Sequence, residues 1–197
     1  MKYILNIIFI AAAIFLGYLL YLNITDPIKI QEEIVVQVSE SACKLAKIKE
    51  VQQAYKTVNG KYAESFDSLN NFIMNDSFTV KRVDGDPDDT TKQTTVQIEM
   101  IAIKDMLFKD KDNNYIKNLN AIPNVSGKFT MDAGTIEQNR VTVHVFEVKA
   151  PYTAVLEGMN QKYFDPNIHV GKDMALGSMY KATTSGNWPS KYSSDCN

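Results

Sequence analysis

The chain has 197 residues, which suits one domain with an appendage and is too short for two full domains. Its formal net charge at pH 7 is −2 and it contains no basic stripe that could collect phosphates, so the composition argues against nucleic-acid binding. Hydrophobic residues make up 45% of the chain and are unevenly distributed, with a long uncharged run near the first residue.

That run, YILNIIFIAAAIFLGYLLYL at residues 3–22, predicts a membrane-spanning helix. Twenty helical residues span about 30 Å, which matches the thickness of a bilayer core. A cleaved signal peptide would have a shorter apolar core followed by small residues, whereas here Ala11, Ala12 and Ala13 lie within the run. A buried core helix is rarely apolar on every face. We therefore predict an uncleaved transmembrane anchor over residues 1–25.

The charges beside the run predict its orientation. Lys2 precedes it, whereas Asp26, Glu32 and Glu33 follow it with only Lys29 among them. The positive-inside rule then places the N-terminus in the cytoplasm and the rest of the chain in the periplasm, at a bacterial inner membrane.

Two cysteines, Cys43 and Cys196, lie nearly a whole chain apart. In an oxidising periplasm they could form a disulfide that ties the C-terminus to a helix. The alternative is a buried free thiol at Cys43 and a frayed one at Cys196. The sequence leaves both possibilities open because it gives no distances.

Residues 26–62 are predicted to form an amphipathic spine helix. Pro27 should end the membrane helix, and Asn59 and Gly60 should end the spine, because these residue types disfavour helix continuation or tolerate positive φ. Apolar residues recur every three or four positions, which is one helical stripe: Ile34, Val38, Ala42, Leu45, Ile48, Val51, Tyr55 and Val58. We expect partner proteins to pack along the transmembrane helix and along this stripe, and the candidate contacts on the stripe are Ile34, Val38, Leu45 and Tyr55.

Residues 63–197 are predicted to form a periplasmic α+β domain. Ser65 should begin a short helix, and residues 78–83 and 94–103 should form a hairpin around an acidic turn. The following segment, residues 104–119, should be irregular or contain one helical turn. Because the strands are grouped rather than alternating with helices, the fold class is α+β, with the spine packed on a small antiparallel sheet.

Three further elements are predicted towards the C-terminus. A second hairpin should pair residues 127–137 with 140–150 through a Gln138-Asn139 turn. A helix should follow over residues 151–164, with Pro151 at a favoured early position. The remainder, from Asp165 onward, should be loop.

The N-terminal layout resembles that of type IV pilins and pseudopilins. The resemblance rests on an apolar helix that runs into an amphipathic one ending in VQQAYKTVNGKYAESFDSLNNFI, residues 51–73. It implies a pilin-like fold in which the spine helix packs on an antiparallel sheet. Pilin precursors have a basic leader, a processing Gly and a Glu five residues into the mature helix. This run has no acidic residue, so we expect charge-based docking between subunits to be absent.

The whole chain also resembles an uncharacterised single-pass membrane-anchored family of Bacteroidota. The segments KFTMDAGTIE, VFEVKAPY and the closing SGNW carry this resemblance. It implies the anchored topology and no particular activity.

The sequence contains no strong catalytic or metal-binding pattern. Asp84, Asp86 and Asp88 are spaced like the first ligands of a calcium loop, but the required Gly and Glu are replaced by Asp89 and Thr95. A solvated acidic turn is the simpler interpretation. The two histidines, at positions 144 and 169, belong to no zinc-binding motif. We expect no enzymatic activity, cofactor or small-molecule substrate.

Trp188, the single tryptophan, could anchor a partner protein or could pin the C-terminal loop onto the sheet.

The sequence as a whole predicts a non-catalytic scaffold or assembly subunit of an envelope complex, whose partners are the membrane and either other envelope proteins or further copies of itself. The alternatives are a minor pseudopilin-like subunit of a secretion or motility machine and a periplasmic module that binds a ligand or calcium.

Overall fold

The computed structural model describes residues 2–84, 95–193 and 196. It is an α+β structure that begins with a very long helix and contains two small antiparallel sheets. In chain order the elements are α1 (Lys2–Asn59), α2 (Phe66–Asn75), β1 (Ser77–Asp84), β2 (Thr95–Ala102), α3 (Ile103–Leu107), α4 (Asn113–Lys117), β3 (Thr130–Gln138), β4 (Val141–Pro151), α5 (Tyr152–Val155) and β5 (Asp173–Gly177). Single 3-10 turns lie at Gln161–Tyr163 and Ser190–Tyr192.

The first helix is continuous for 58 residues and contains Pro27 in its interior. The prediction that Pro27 ends the membrane helix is therefore wrong. Proline lacks one backbone donor, but its fixed φ near −65° fits a helix, so the helical bonds on either side can carry the chain through. The predicted end is confirmed, because Gly60 has a φ of +74° and its N–H donates to the Lys56 carbonyl at 2.8 Å.

The short helix α2 begins as predicted. The Ser65 hydroxyl accepts a hydrogen bond from the Ser68 N–H at 3.2 Å and so caps the first turn. Leu69, Phe72 and Ile73 form its buried face. The Phe72 ring meets Tyr55 of α1 edge-on, with 5.0 Å between ring centroids, so α2 covers the C-terminal part of α1.

The first predicted hairpin is confirmed. β1 and β2 pair antiparallel from Ser77 opposite Ala102 to Asp84 opposite Thr95. The segment predicted to be irregular contains the two short helices α3 and α4.

The second sheet has three strands in the order β3-β4-β5. Asn139 and Arg140 both have positive φ, at 54° and 65°, which is the backbone of a two-residue hairpin turn. The turn therefore lies one residue later than predicted, because Gln138 already pairs with Val141.

Two predictions about the C-terminal third are wrong. The helix expected over residues 151–164 is a single turn, α5; Pro151 ends β4, and Gly158 turns the chain with a φ of +84°. The tail is not all loop, since β5 adds a strand beside β4, with Met174 opposite Ala150. That strand is defined by pairing with residues more than twenty positions away, and local periodicity does not report such pairing.

One hydrophobic core joins the second half of α1 to the rest of the domain. β4 turns alternate side chains, Phe146, Val148 and Ala150, into this core. The side chains that α1 contributes are Ile34, Val38, Ala42, Leu45, Ile48, Val51 and Ala54. The spine is therefore an integral part of the folded domain.

Candidate functional site

The candidate site is helix α1 itself, whose two halves have opposite surroundings. Tyr3–Tyr21 is long and apolar enough to cross a membrane, and none of this stretch is buried inside the protein. Exposed apolar side chains occupy all of its faces, as a lipid-facing helix requires. The second half is instead the central element of the folded domain.

The structure corrects the predicted partner surface. Ile34, Val38 and Leu45 are 1%, 0% and 0% exposed, so they contact their own domain and are not accessible to a partner protein. The sequence identified a helical stripe correctly, but other residues of the same chain bury that stripe in the hydrophobic core. Tyr55 is half-buried against Phe72 and contributes to the same core.

Trp188 is also engaged within the chain. Its indole packs against the core, and its ring lies directly over Gly186. The adjacent Asn187 fixes this segment along β5, because its N–H donates to the Ala175 carbonyl at 2.9 Å and its side-chain amide donates to the Asp173 carbonyl at 2.8 Å. The C-terminal segment is thus attached along the edge of the sheet.

A disulfide connects Cys43 of α1 with Cys196, with 5.0 Å between their Cα atoms. It closes a loop across 153 positions of sequence. The buried Tyr192, in the 3-10 turn just before the disulfide, joins the hydrophobic core. The C-terminus is therefore held against the spine both covalently and by packing.

A shallow groove of about 440 Å³ opens beside the part of the spine that follows the apolar stretch. Gln37, which lines it, is 4% exposed and donates to the carbonyls of Pro123 and Val155 at 2.7 and 3.0 Å. Asn124 donates to the Gln37 side chain at 3.2 Å and to Glu40 at 2.6 Å. The remaining lining residues are Lys29, Glu32, Glu33, Val36 and Met159. These hydrogen bonds fix the spine to the loop before β3 and to α5.

Lys44 occupies a half-buried position on the spine. Its Nζ donates to the carbonyls of Asn118 and Ala121 at 2.9 and 2.6 Å and lies 5.3 Å from the centre of the Tyr115 ring. Burial lowers the pKa of Lys44 to about 8. Both carbonyls follow α4, so Lys44 caps the end of that helix.

The two histidines occupy different surroundings. His144 lies half-buried in β4, opposite Thr135. His169 is 2% exposed and lies between the rings of Tyr152 and Phe164. Sequence motifs do not distinguish the two histidines, since neither belongs to one.

The acidic run predicted as a weak calcium candidate lies almost wholly outside the described residues. Asp84 is the last residue of β1, and Asp86 and Asp88 lie outside the described residues, so calcium binding there stays a prediction. The carboxylate of Asp112 caps α4 by accepting from the Tyr115 N–H at 2.7 Å. Among residues 2–84, 95–193 and 196, no three His, Cys, Asp or Glu side chains are grouped so that they could hold a metal ion.

Comparison with protein-family models, with curated proteins and with solved structures finds no match to this chain.

Proposed function

We propose that this chain is a membrane-anchored, non-catalytic scaffold or assembly subunit of a bacterial envelope complex. The observation that carries the proposal is the single 58-residue helix, which is apolar and exposed at one end and the core of a folded domain at the other. At the rise of an α-helix it is about 87 Å long. A tether would need only a flexible linker between membrane and domain, whereas a stiff helix holds the domain at a set height and orientation.

The disulfide supports a periplasmic location for the domain. Disulfides persist in oxidising compartments and are rare in the bacterial cytoplasm. A bond between Cys43 and Cys196 therefore favours the orientation that the flanking charges predict, with the N-terminus in the cytoplasm.

Exposed apolar side chains near the membrane provide the proposed contact surface for partners. Ile28, between the apolar span and the core, is 54% exposed, and Val36, on the outer face of α1 beside the first core residues, is 55% exposed. This surface replaces the buried stripe as the candidate interface.

A pseudopilin-like subunit is the alternative. The observation that favours it is the division of α1 into an exposed apolar half and a half that shares a core with an antiparallel sheet, as in the pilin layout. N-terminal sequencing of the protein from its host membrane tests it, because a start at Met1-Lys2 would count against pilin-type processing.

The experiment that tests the scaffold proposal is the insertion of six flexible Gly and Ser residues after Thr25. The same insertion after Lys181, in an exposed loop, is the matched control. Complexes are cross-linked in the native membrane, extracted in mild detergent and sized by native electrophoresis. We expect the wild type and the loop variant to migrate as a complex larger than the monomer, and the Thr25 variant to lose that complex while it stays in the membrane. A wild-type protein that is monomeric under these conditions would exclude a scaffold.

A further inference from the structure

The loop before β5 is organised around the buried imidazole of His169. The backbone N–H of Asp165 donates to His169 Nδ1 at 3.0 Å, and the backbone N–H of His169 returns a bond to the Asp165 carbonyl at 2.8 Å. The Asp165 carboxylate is engaged by the Asn167 N–H at 2.7 Å. The imidazole is therefore the central hydrogen-bond acceptor of a closed turn, residues 165–169.

This geometry accommodates only the neutral imidazole. A backbone N–H can only donate, so Nδ1 must carry a lone pair and the ring proton must be on Nε2. Nε2 is buried and has no hydrogen-bond partner among the described residues. If a second proton binds Nδ1, two donors face each other at 3.0 Å and the bond that closes the turn is lost.

The groups around His169 favour the same neutral state. Burial is the largest influence and lowers its pKa; the Asp165 carboxylate raises it and the Lys191 ammonium lowers it. Tyr152 packs on the ring with centroids 4.9 Å apart. Burial, with a smaller contribution from the neighbouring Tyr192, raises the pKa of Tyr152 to about 12, so this neighbour stays uncharged.

The turn is connected to the spine and to the sheet. On one side, Gln31 of α1 donates through Nε2 to the Tyr163 carbonyl at 2.6 Å. On the other side, the Tyr152 N–H donates to the Lys172 carbonyl at 3.0 Å, where the chain enters β5. The segment between these ties, residues 163–172, bridges the membrane-proximal spine and the sheet.

We propose that His169 is a pH-operated latch: a proton taken up at Nδ1 in acid breaks the bond from Asp165, opens residues 163–172 and loosens their attachment to the spine at Gln31. The proton comes from solvent, and the new N–H is the only covalent bond that changes. The Cys43–Cys196 disulfide lies outside this segment and still holds the C-terminal region on α1, so the opening is local.

The test is hydrogen exchange of the full chain in lipid nanodiscs at pH 7.5 and pH 5.0, corrected for the intrinsic pH dependence of exchange. In the open state His169 is taken to titrate like a free histidine, with a pKa of about 6.5, and this limits how far acid can favour opening. Residues 163–172 should therefore open up to about 30-fold more often at pH 5.0 than at pH 7.5. Peptides from α2 and β4 should keep their protection. Opening of the whole domain together would overturn a local latch.

His169→Asn is the decisive variant, because the asparagine Oδ1 can accept from Asp165 at the position of Nδ1 but does not titrate. We expect its exchange to be the same at both pH values, whereas the matched control His144→Asn should respond like the wild type. An equal acid response in His169→Asn, or none in the wild type, would exclude the latch. If His169→Asn does not fold, NMR titration of the wild-type imidazoles decides, since a His169 pKa at or above that of free histidine contradicts the proposal.

Discussion

Gln52 and Ala63 are joined by two reciprocal hydrogen bonds, each 2.9 Å long. The Gln52 amide nitrogen donates to the Ala63 carbonyl, and the Gln52 amide oxygen accepts from the Ala63 N–H. One side chain thus satisfies both backbone groups of Ala63, which lies in the loop between α1 and α2. Gln52 is 0% and Ala63 1% exposed. A buried polar residue on the apolar stripe thus closes the loop between α1 and α2.

Gln52→Leu should destabilise the domain by about 2–4 kcal/mol, because two buried backbone groups would lose their partners. Denaturant unfolding of the full chain in nonionic detergent, followed by Trp188 fluorescence, measures the change. Gln53→Leu is the matched control, since Gln53 is the same residue type one position along and exposed. Equal midpoints for the two variants would contradict this role of Gln52.

The disulfide should be a large contributor to stability. Closure of a loop of this length reduces the entropy of the unfolded chain by an amount worth about 5 kcal/mol in the chain-entropy model. We expect the paired variant Cys43→Ser with Cys196→Ser to unfold at a much lower denaturant concentration than the oxidised wild type. Dithiothreitol should move the wild-type midpoint towards that of the paired variant and leave the variant unchanged. Insensitivity of the wild type to the reductant would contradict the prediction.

Local signals in the sequence predicted the features that local chemistry determines. Asn59-Gly60 ends α1, because glycine readily adopts the left-handed backbone found at Gly60. Ser65 caps α2, because its hydroxyl accepts a hydrogen bond from a backbone N–H of the first turn that has no partner within the helix. Alternating β-branched residues placed both hairpins. The hydrophobic stripe on the spine was equally visible.

What the sequence did not predict depends on distant contacts. The spacing of the stripe predicts an interface with other proteins, whereas in the structure the stripe shares a core with Phe146 and Val148 of the same chain. The strand β5 exists through its pairing with β4, and the histidine that organises the loop before it is marked by burial rather than by a motif. The disulfide likewise depends on the fold, which brings the Cα atoms of Cys43 and Cys196 to within 5.0 Å of each other.

Gly186→Ala should displace Trp188. A Cβ at position 186 would overlap the six-membered ring of the indole, so either the ring or the backbone must move. We expect a loss of about 1–3 kcal/mol, the usual result of overpacking, and a red shift of the tryptophan emission as the ring meets water. Ser185→Ala, a change at the exposed neighbouring position, is the control and should leave the spectrum unaltered. Identical emission in the two variants would show that the indole does not occupy this position.

Lys44 should make the stability of the domain depend on pH in the alkaline range. Its pKa falls from 10.5 to about 8 on burial, so between these values the unfolded chain binds a proton that the folded chain releases. Raising the pH through this window therefore favours the folded state. A neutral amine still has two N–H groups for the carbonyls of Asn118 and Ala121, so both hydrogen bonds survive deprotonation.

The measurement is the free energy of unfolding of the wild type minus that of Lys44→Met, at pH 7.5 and pH 9.5. We expect the difference to move in favour of the wild type as the pH rises, because methionine keeps the apolar stem and removes the titrating group. Lys47→Met, on the same helix and close to Phe108, should follow the wild-type pH profile. If this difference in unfolding free energy stays constant or falls as the pH rises, the prediction is wrong. Lys44 would then stay charged in the folded domain, because its hydrogen bonds to the two carbonyls outweigh the cost of burying the charge.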